Sequence, residues 1–182
     1  MMPPRCGSSR GFTLIELVIT IVLIGIVSAV ALSRMLTGDT FNAVIARDQI
    51  ISLARAAQQK AIGRSDVVLL IQPEAGRLQL RIEVDGQSVT SASTELQSVS
   101  LRADVDVLDS CGTVAGTHAV GTAAPLRIEF GRLGDLVQGG VQGTAGFPQT
   151  VNTGMRVCVN GDPANSVCLS ATGFAYAGDC DA

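Results

Sequence analysis

Glu16 is the side chain whose position most needs a chemical reason. It lies four residues after Phe12 inside an apolar stretch, and the 17 residues that follow it, Leu17 to Ser33, carry no charge. That run would cover roughly 26 Å as a helix, close to the hydrocarbon thickness of a bilayer. A carboxylate inside such a segment costs a few kcal/mol unless something neutralises it. Cutting the chain after Gly11 supplies the partner, because it frees an α-amino group on Phe12. Amine and carboxylate then share a helical first turn, where free N–H groups and the helix dipole also favour an anion. The pair can close within one subunit or reach a neighbour, and across neighbours it would set an axial register.

The other residues able to do chemistry are fewer. Of five cysteines, Cys6 would leave with the first eleven residues, and Cys111, Cys158, Cys168 and Cys180 would remain. Their spacings lack any C-x-x-C pair, so two disulfides are expected rather than a zinc site, which implies an exported, oxidising location. Cys158 and Cys168 face each other if the closing hairpin is centred on Pro163. That predicts a Cys158–Cys168 bridge, with Cys111–Cys180 as the second. His118, the single histidine, sits in a small-residue loop without a nucleophile motif and reads as solvated. Asp104, Asp106 and Asp109 could attract calcium, as could Asp179 and Asp181. Yet no twelve-residue calcium loop is present, and Asp104 and Asp106 alternate with Val105 and Val107 like the wet face of a half-buried strand. No phosphate loop, G-x-S-x-G or H-E-x-x-H occurs, so neither an enzyme nor a cofactor is expected.

A basic leader, then Gly11-Phe12-Thr13-Leu14-Ile15-Glu16, then an apolar helix, resembles the prepilin signature of type IV pilins and type II secretion pseudopilins. The resemblance implies cleavage between Gly11 and Phe12 by an inner-membrane prepilin peptidase and N-methylation of Phe12 by the same enzyme. It further implies assembly through an inner-membrane platform into a filament, with Glu16 facing the next subunit's terminus. An ordinary secretory signal peptide would instead use Arg5 and Arg10 as its basic region and Ala29-Val30-Ala31 as its cleavage site. A plain single-pass anchor explains the apolar length and the basic flank. Neither accounts for Glu16.

Charge is split along the chain. Residues 1–11 carry +2, residues 12–64 carry +2, and residues 65–182 carry −7 from six basic and thirteen acidic side chains. An acidic C-terminal region repels phosphate backbones, so nucleic acid is not an expected partner. The basic leader fits a cytoplasmic N-terminus with the remainder exported.

The elements that would position these residues follow from periodicity. The fold class expected is α+β, a lollipop in which a long N-terminal helix packs on an antiparallel sheet. Its parts are a leader (1–11), a transmembrane and assembly helix (12–36), an amphipathic half of the helix (37–64) and a β-rich head (65–182). The helix could run from Phe12 to Ile62, with Gly38-Asp39 as the likeliest break. Ala43, Ala46, Ile50, Leu53, Ala54, Ala57 and Ala61 share one face. Lys60 and Arg64 lie near that face and would have to snorkel.

Beyond Arg64, Val67–Ile71 and Arg77–Val84 read as a hairpin joined by Pro73-Glu74-Ala75-Gly76, with Asp85-Gly86 as the next turn. Val99–Val107 and Leu126–Phe130 read as strands, separated by a Gly/Ala/Thr loop from Gly112 to Ala124. Gly131–Gly154 reads as a surface loop, and Met155–Val159 with Val167–Ala171 as a final hairpin.

Phe41–Ile62 and Ser166–Phe174 resemble the minor pilins and pseudopilins of the GspH/FimT type, including the minor subunit of the mannose-sensitive haemagglutinin pilus. This implies a low-abundance subunit that starts or caps a filament. One branch of that group captures DNA with an Arg beside a C-terminal Gly, but here Gly173 is followed by Phe174, Ala175 and Tyr176. Expected partners are therefore other pilin or pseudopilin subunits, the prepilin peptidase and the assembly platform. The membrane would hold the chain before assembly, as a single-pass inner-membrane protein with a periplasmic head.

Overall fold

The computed structural model describes residues 13–35, 38–95, 99–106, 111, 118–178 and 180, with backbone alone at 29–35 and 38–40. The chain divides into two compact units, Met1–Thr37 and Gly38–Ala182. The first holds one helix, α1 (Leu14–Met35), of 22 residues. Every side chain described in it, from Leu14 to Ser28, is exposed. Among the described residues no helix is long and apolar enough to cross a membrane.

The second unit opens with α2 (Gly38–Ala61). Gly38 and Asp39, the expected break, are helical and start this element; residues 36 and 37 lie outside the described residues. The small-residue stripe is buried as its period requires: Ala43, Ala46, Ile50, Ala54, Ala57 and Ala61 are inaccessible, and Leu53 packs partly buried beside them. Ile51 joins them, one position outside the expected face. Lys60 is half-buried and Arg64 is exposed, as snorkelling predicts. Alanine at the contact positions lets the helix axis approach a sheet closely, while Ile50 fills the remaining depth.

Among the described residues the strands that follow are β1 (Val67–Glu74), β2 (Arg77–Val84), β3 (Gln87–Glu95), β4 (Leu101–Val105), β5 (His118–Val120), β6 (Leu126–Phe130), β7 (Leu136–Val141), β8 (Gln149–Thr150), β9 (Gly154–Val159), β10 (Asp162–Ser170) and β11 (Ala175–Ala177). They form a six-stranded sheet in the order β3-β2-β1-β6-β7-β8 and a five-stranded sheet in the order β11-β10-β9-β4-β5. All pairings are antiparallel. α2 packs on β1, β2 and β6 of one sheet and on β9, β10 and β11 of the other, so both sheets share one core. Leu69, Ile71, Leu78, Leu80, Ile82, Leu126, Ile128 and Phe130 are inaccessible or nearly so. Each such side chain contributes roughly 1.5–3 kcal/mol of burial.

Several sequence expectations need correction. The first hairpin turns over two residues, Ala75-Gly76, because Pro73 and Glu74 still pair with Leu78 and Arg77. β3 was not expected; its Ser/Thr-rich sequence lacks apolar alternation because its inward-facing Thr90, Ala92 and Thr94 are only half-buried at the sheet edge. His118 lies in β5, opposite Ala103, rather than in a loop. The strand expected at Val99–Val107 is β4 over Leu101–Val105, and Val107 lies outside the described residues.

Gly131–Gly154 is not a surface loop, since it contains β7 and β8. Glycine there reflects close packing. A Cβ on Gly139 would come within 2.7 Å of Met155 Cε and 2.9 Å of the Arg127 carbonyl oxygen. The closing hairpin turns at Asn160-Gly161, and the β9–β10 register shifts between Asp162 and Val167.

Candidate functional site

At the start of α1, Thr13 and Glu16 bind each other. The Glu16 backbone N–H donates to Thr13 Oγ1 at 3.3 Å, and the Thr13 hydroxyl lies 3.4 Å from Glu16 Oε2. The Leu17 N–H donates to the Thr13 carbonyl at 3.2 Å, the first helical hydrogen bond. Thr13 is therefore the N-cap and Glu16 the third helical residue, the T-x-x-E spacing of a capping box, with the carboxylate turned to the cap hydroxyl. The T-x-x-E signal stands in the sequence itself, at Thr13 and Glu16. One turn on, the Thr20 hydroxyl donates to the Leu17 carbonyl at 2.8 Å, so its polarity is spent inside the helix. Around these groups Leu14 is 80% exposed and Val27 66%. Gly11, Phe12 and the leader lie outside the described residues.

In the head all four remaining cysteines are bridged, but as Cys111–Cys158 and Cys168–Cys180, with Cα–Cα distances of 5.7 and 5.2 Å. The Cys158–Cys168 and Cys111–Cys180 pairs inferred from sequence are thus incorrect. The position of the turn is the reason: the hairpin turns at Asn160-Gly161 rather than about Pro163, and even past the register shift in β10 Cys168 lies opposite Arg156 and Val167 opposite Val157, so the two cysteines do not face.

The aspartates divide into two environments. Asp104 is buried at 8%, not on a wet face, and is the cross-strand partner of the buried Arg156. Asp106 accepts hydrogen bonds from the backbone N–H groups of Asn152, Thr153 and Gly154, from Asn152 Nδ2 at 2.8 Å and from Thr153 Oγ1 at 3.0 Å. Burial acts to raise its pKa, but these donors together outweigh it and hold the carboxyl at about 2. Its donors make it a clamp between the end of β4 and the loop before β9. Asp109, Asp179 and Asp181 lie outside the described residues, among which no cluster of His, Cys, Asp or Glu is arranged to hold a metal.

At the C-terminal end of α2, the Arg55 guanidinium carbon lies 4.9 Å above the Phe174 ring, and its Nε donates to the Ala175 carbonyl at 2.9 Å. Gln58 Nε2 donates to the Thr172 carbonyl at 2.9 Å. Phe174 stacks on Tyr176. Gly173 is tightly held, with φ +82° and a position where a Cβ would fall 1.8 Å from the Gly134 carbonyl oxygen. A cavity of about 250 Å³ lies beside the β1–β2 turn, and neither a nucleophile nor a histidine is among the described residues lining it.

Residues 6–32 match the family model described as the prokaryotic N-terminal methylation motif. The chain carries the methylation motif of type IV pilins and pseudopilins. Thr13, Glu16 and the exposed apolar side chains of α1 from Leu14 to Ser28 all fall within the matched motif. The match ends at residue 32, ahead of α2 and every strand. No curated protein and no solved structure gives a significant match to this chain.

Proposed function

We propose that this protein is a non-enzymatic structural subunit of a type IV pilus, of the minor class. Prepilin peptidase cuts it between Gly11 and Phe12 and methylates Phe12, and an inner-membrane assembly platform inserts it among other pilin subunits. Before assembly α1 anchors it in the inner membrane with the head in the periplasm, where the two disulfides form. The observation that carries this reading is Glu16, the acid within the methylation motif at the start of an exposed apolar helix. Such an exposed apolar surface suits a lipid phase or a bundle of like helices. In either phase the Phe12 ammonium is the cation that makes Glu16 tolerable.

The minor class rests on the resemblance of Phe41–Ile62 and Ser166–Phe174. These two segments meet in the fold through Arg55, Gln58, Thr172 and Phe174. A pseudopilin of a type II secretion system shares the motif and the helix physics; the two differ in which machine incorporates the chain. Co-expression of the full chain with a prepilin peptidase, followed by mass spectrometry of the mature N-terminus, tests the shared core of the proposal. Methylated Phe12 is the expected first residue. A chain beginning at Leu32 would mark a conventional signal peptide, and an uncut chain would overturn the assignment.

A further inference from the structure

The two sheets end on four edge strands of unequal length. β5 and β11 have three residues each and β8 has two, whereas β3 has nine. An open edge presents a row of backbone donors and acceptors, and natural proteins blunt long ones with Lys, Pro, inward-pointing charges or bulges. β3 has one such device, the register shift opposite Ile82 and Glu83 that leaves Val89 without a partner in β2. From Thr90 to Glu95 the pairing with β2 is regular, and the segment Gln87–Thr94 holds no charge and no proline. Thr90, Ala92 and Thr94 sit opposite the buried Ile82, Leu80 and Leu78 and are half-buried, while Ser91 and Ser93 on the other face are exposed.

We infer that β3 is an interaction edge that takes the β3 of a second copy of this chain, joining two six-stranded sheets across a two-fold axis. The length inventory selects this occupant: among the described strands, no other edge is long enough to match β3. Register supports it too. With the axis at Ala92, Thr90 faces Thr94 and Ser91 faces Ser93, hydroxyl pairs that stabilise antiparallel strands. Glu95 then faces Val89, so no two like charges are opposed. Such a pair is closed, using each edge once, and so makes a dimer rather than a fibre. It draws on the head alone and is independent of assembly through α1.

The test uses the full chain in mild detergent, with its oligomeric state read by light scattering across a dilution series. A dimer is expected. Ser91→Lys with Ser93→Lys, both on the exposed face, sets lysines opposite each other at two positions and should weaken that dimer about tenfold. Mixing this variant with the Ser91→Glu/Ser93→Glu chain should restore pairing as a heterodimer. A monomeric wild-type chain would overturn the inference, as would a dimer indifferent to the lysines, which would point to association through α1. So would a chain that stays monomeric while an unrelated extended peptide protects the β3 amides from exchange.

Discussion

Thr13 and Glu16 close the first turn of α1 on each other, the Thr13 hydroxyl accepting the Glu16 N–H while lying within reach of its carboxylate. The acid that a subunit would offer to a neighbour's amine is thus also part of its own helix cap. These two roles are separable. Gln can keep the cap contact but loses the charge, whereas Thr13→Ala keeps the charge and loses the cap. Thr13→Ala should cost about 1 kcal/mol of helix stability, seen as reduced helicity by circular dichroism of the processed α1 segment in micelles. Glu16→Gln should leave that helicity nearly unchanged.

Asp106 gives the head an acid-sensitive clamp. Its carboxyl sits at about 2, below the ordinary 3.8, so the folded state favours the ionised form. The stability this contributes is complete above about pH 4 and is lost as pH falls through 2. A shift of that size corresponds nominally to about 2.5 kcal/mol, and since Asp106 is exposed, solvent screening cuts it to about 1 kcal/mol. Asp106→Ala should lower stability at neutral pH by roughly 1–3 kcal/mol, since it strands several donors. It should also flatten the pH dependence between 4 and 2, measured by chemical denaturation of the full chain in detergent.

The disulfides should prove unequal. Cys111–Cys158 closes a separation of 47 residues and Cys168–Cys180 one of 12. On the loop-entropy model, removing the first should cost about 1 kcal/mol more than removing the second. Peptide mapping under non-reducing conditions should recover these two pairs. Recovery of a Cys158–Cys168 peptide would show that the β9–β10 register is not the one described.

Gly173→Ala should be among the most damaging small substitutions in the head. The new Cβ would collide with the Gly134 carbonyl oxygen at a backbone angle that L residues rarely adopt. Gly76→Ala is the matched control, with similar φ, +76°, but open space around the added carbon. Thermal unfolding should place Gly76→Ala about 1 kcal/mol below the parent chain and Gly173→Ala several kcal/mol lower. Equal losses would mean that the Gly134–Gly173 approach does not exist.

What was legible in the sequence follows from where periodicity survives. The α2 stripe and the β1–β2 and β9–β10 hairpins were readable, because apolar alternation and Asx-Gly or Ala-Gly turns mark them. β3 was hidden because its inward-facing Thr90, Ala92 and Thr94 are only half-buried, so that no apolar alternation marks it. β7 was hidden because Gly139 and Gly140 read as loop residues, while Gly139 is small to let Met155 approach. The cysteine pairing failed because the hairpin turns at Asn160-Gly161, two residues before the Pro163 on which it was centred, and the bulge in β10 makes up only part of the difference. Of the candidate site, the charge logic of Glu16 was visible from the apolar run, and its capping geometry from T-x-x-E, yet only the former was used. Asp106 looked like a wet strand residue because its donors, Asn152 to Gly154, are more than forty positions away.

The most direct measurement is incorporation of Glu16→Gln into filaments, by quantitative immunoblotting of sheared fibres from cells producing the variant at wild-type levels. If a buried amine–carboxylate pair sets the register between subunits, the variant should be processed at Phe12, fold with both disulfides and be largely absent from fibres. Recovery in fibres at the wild-type amount would contradict the account.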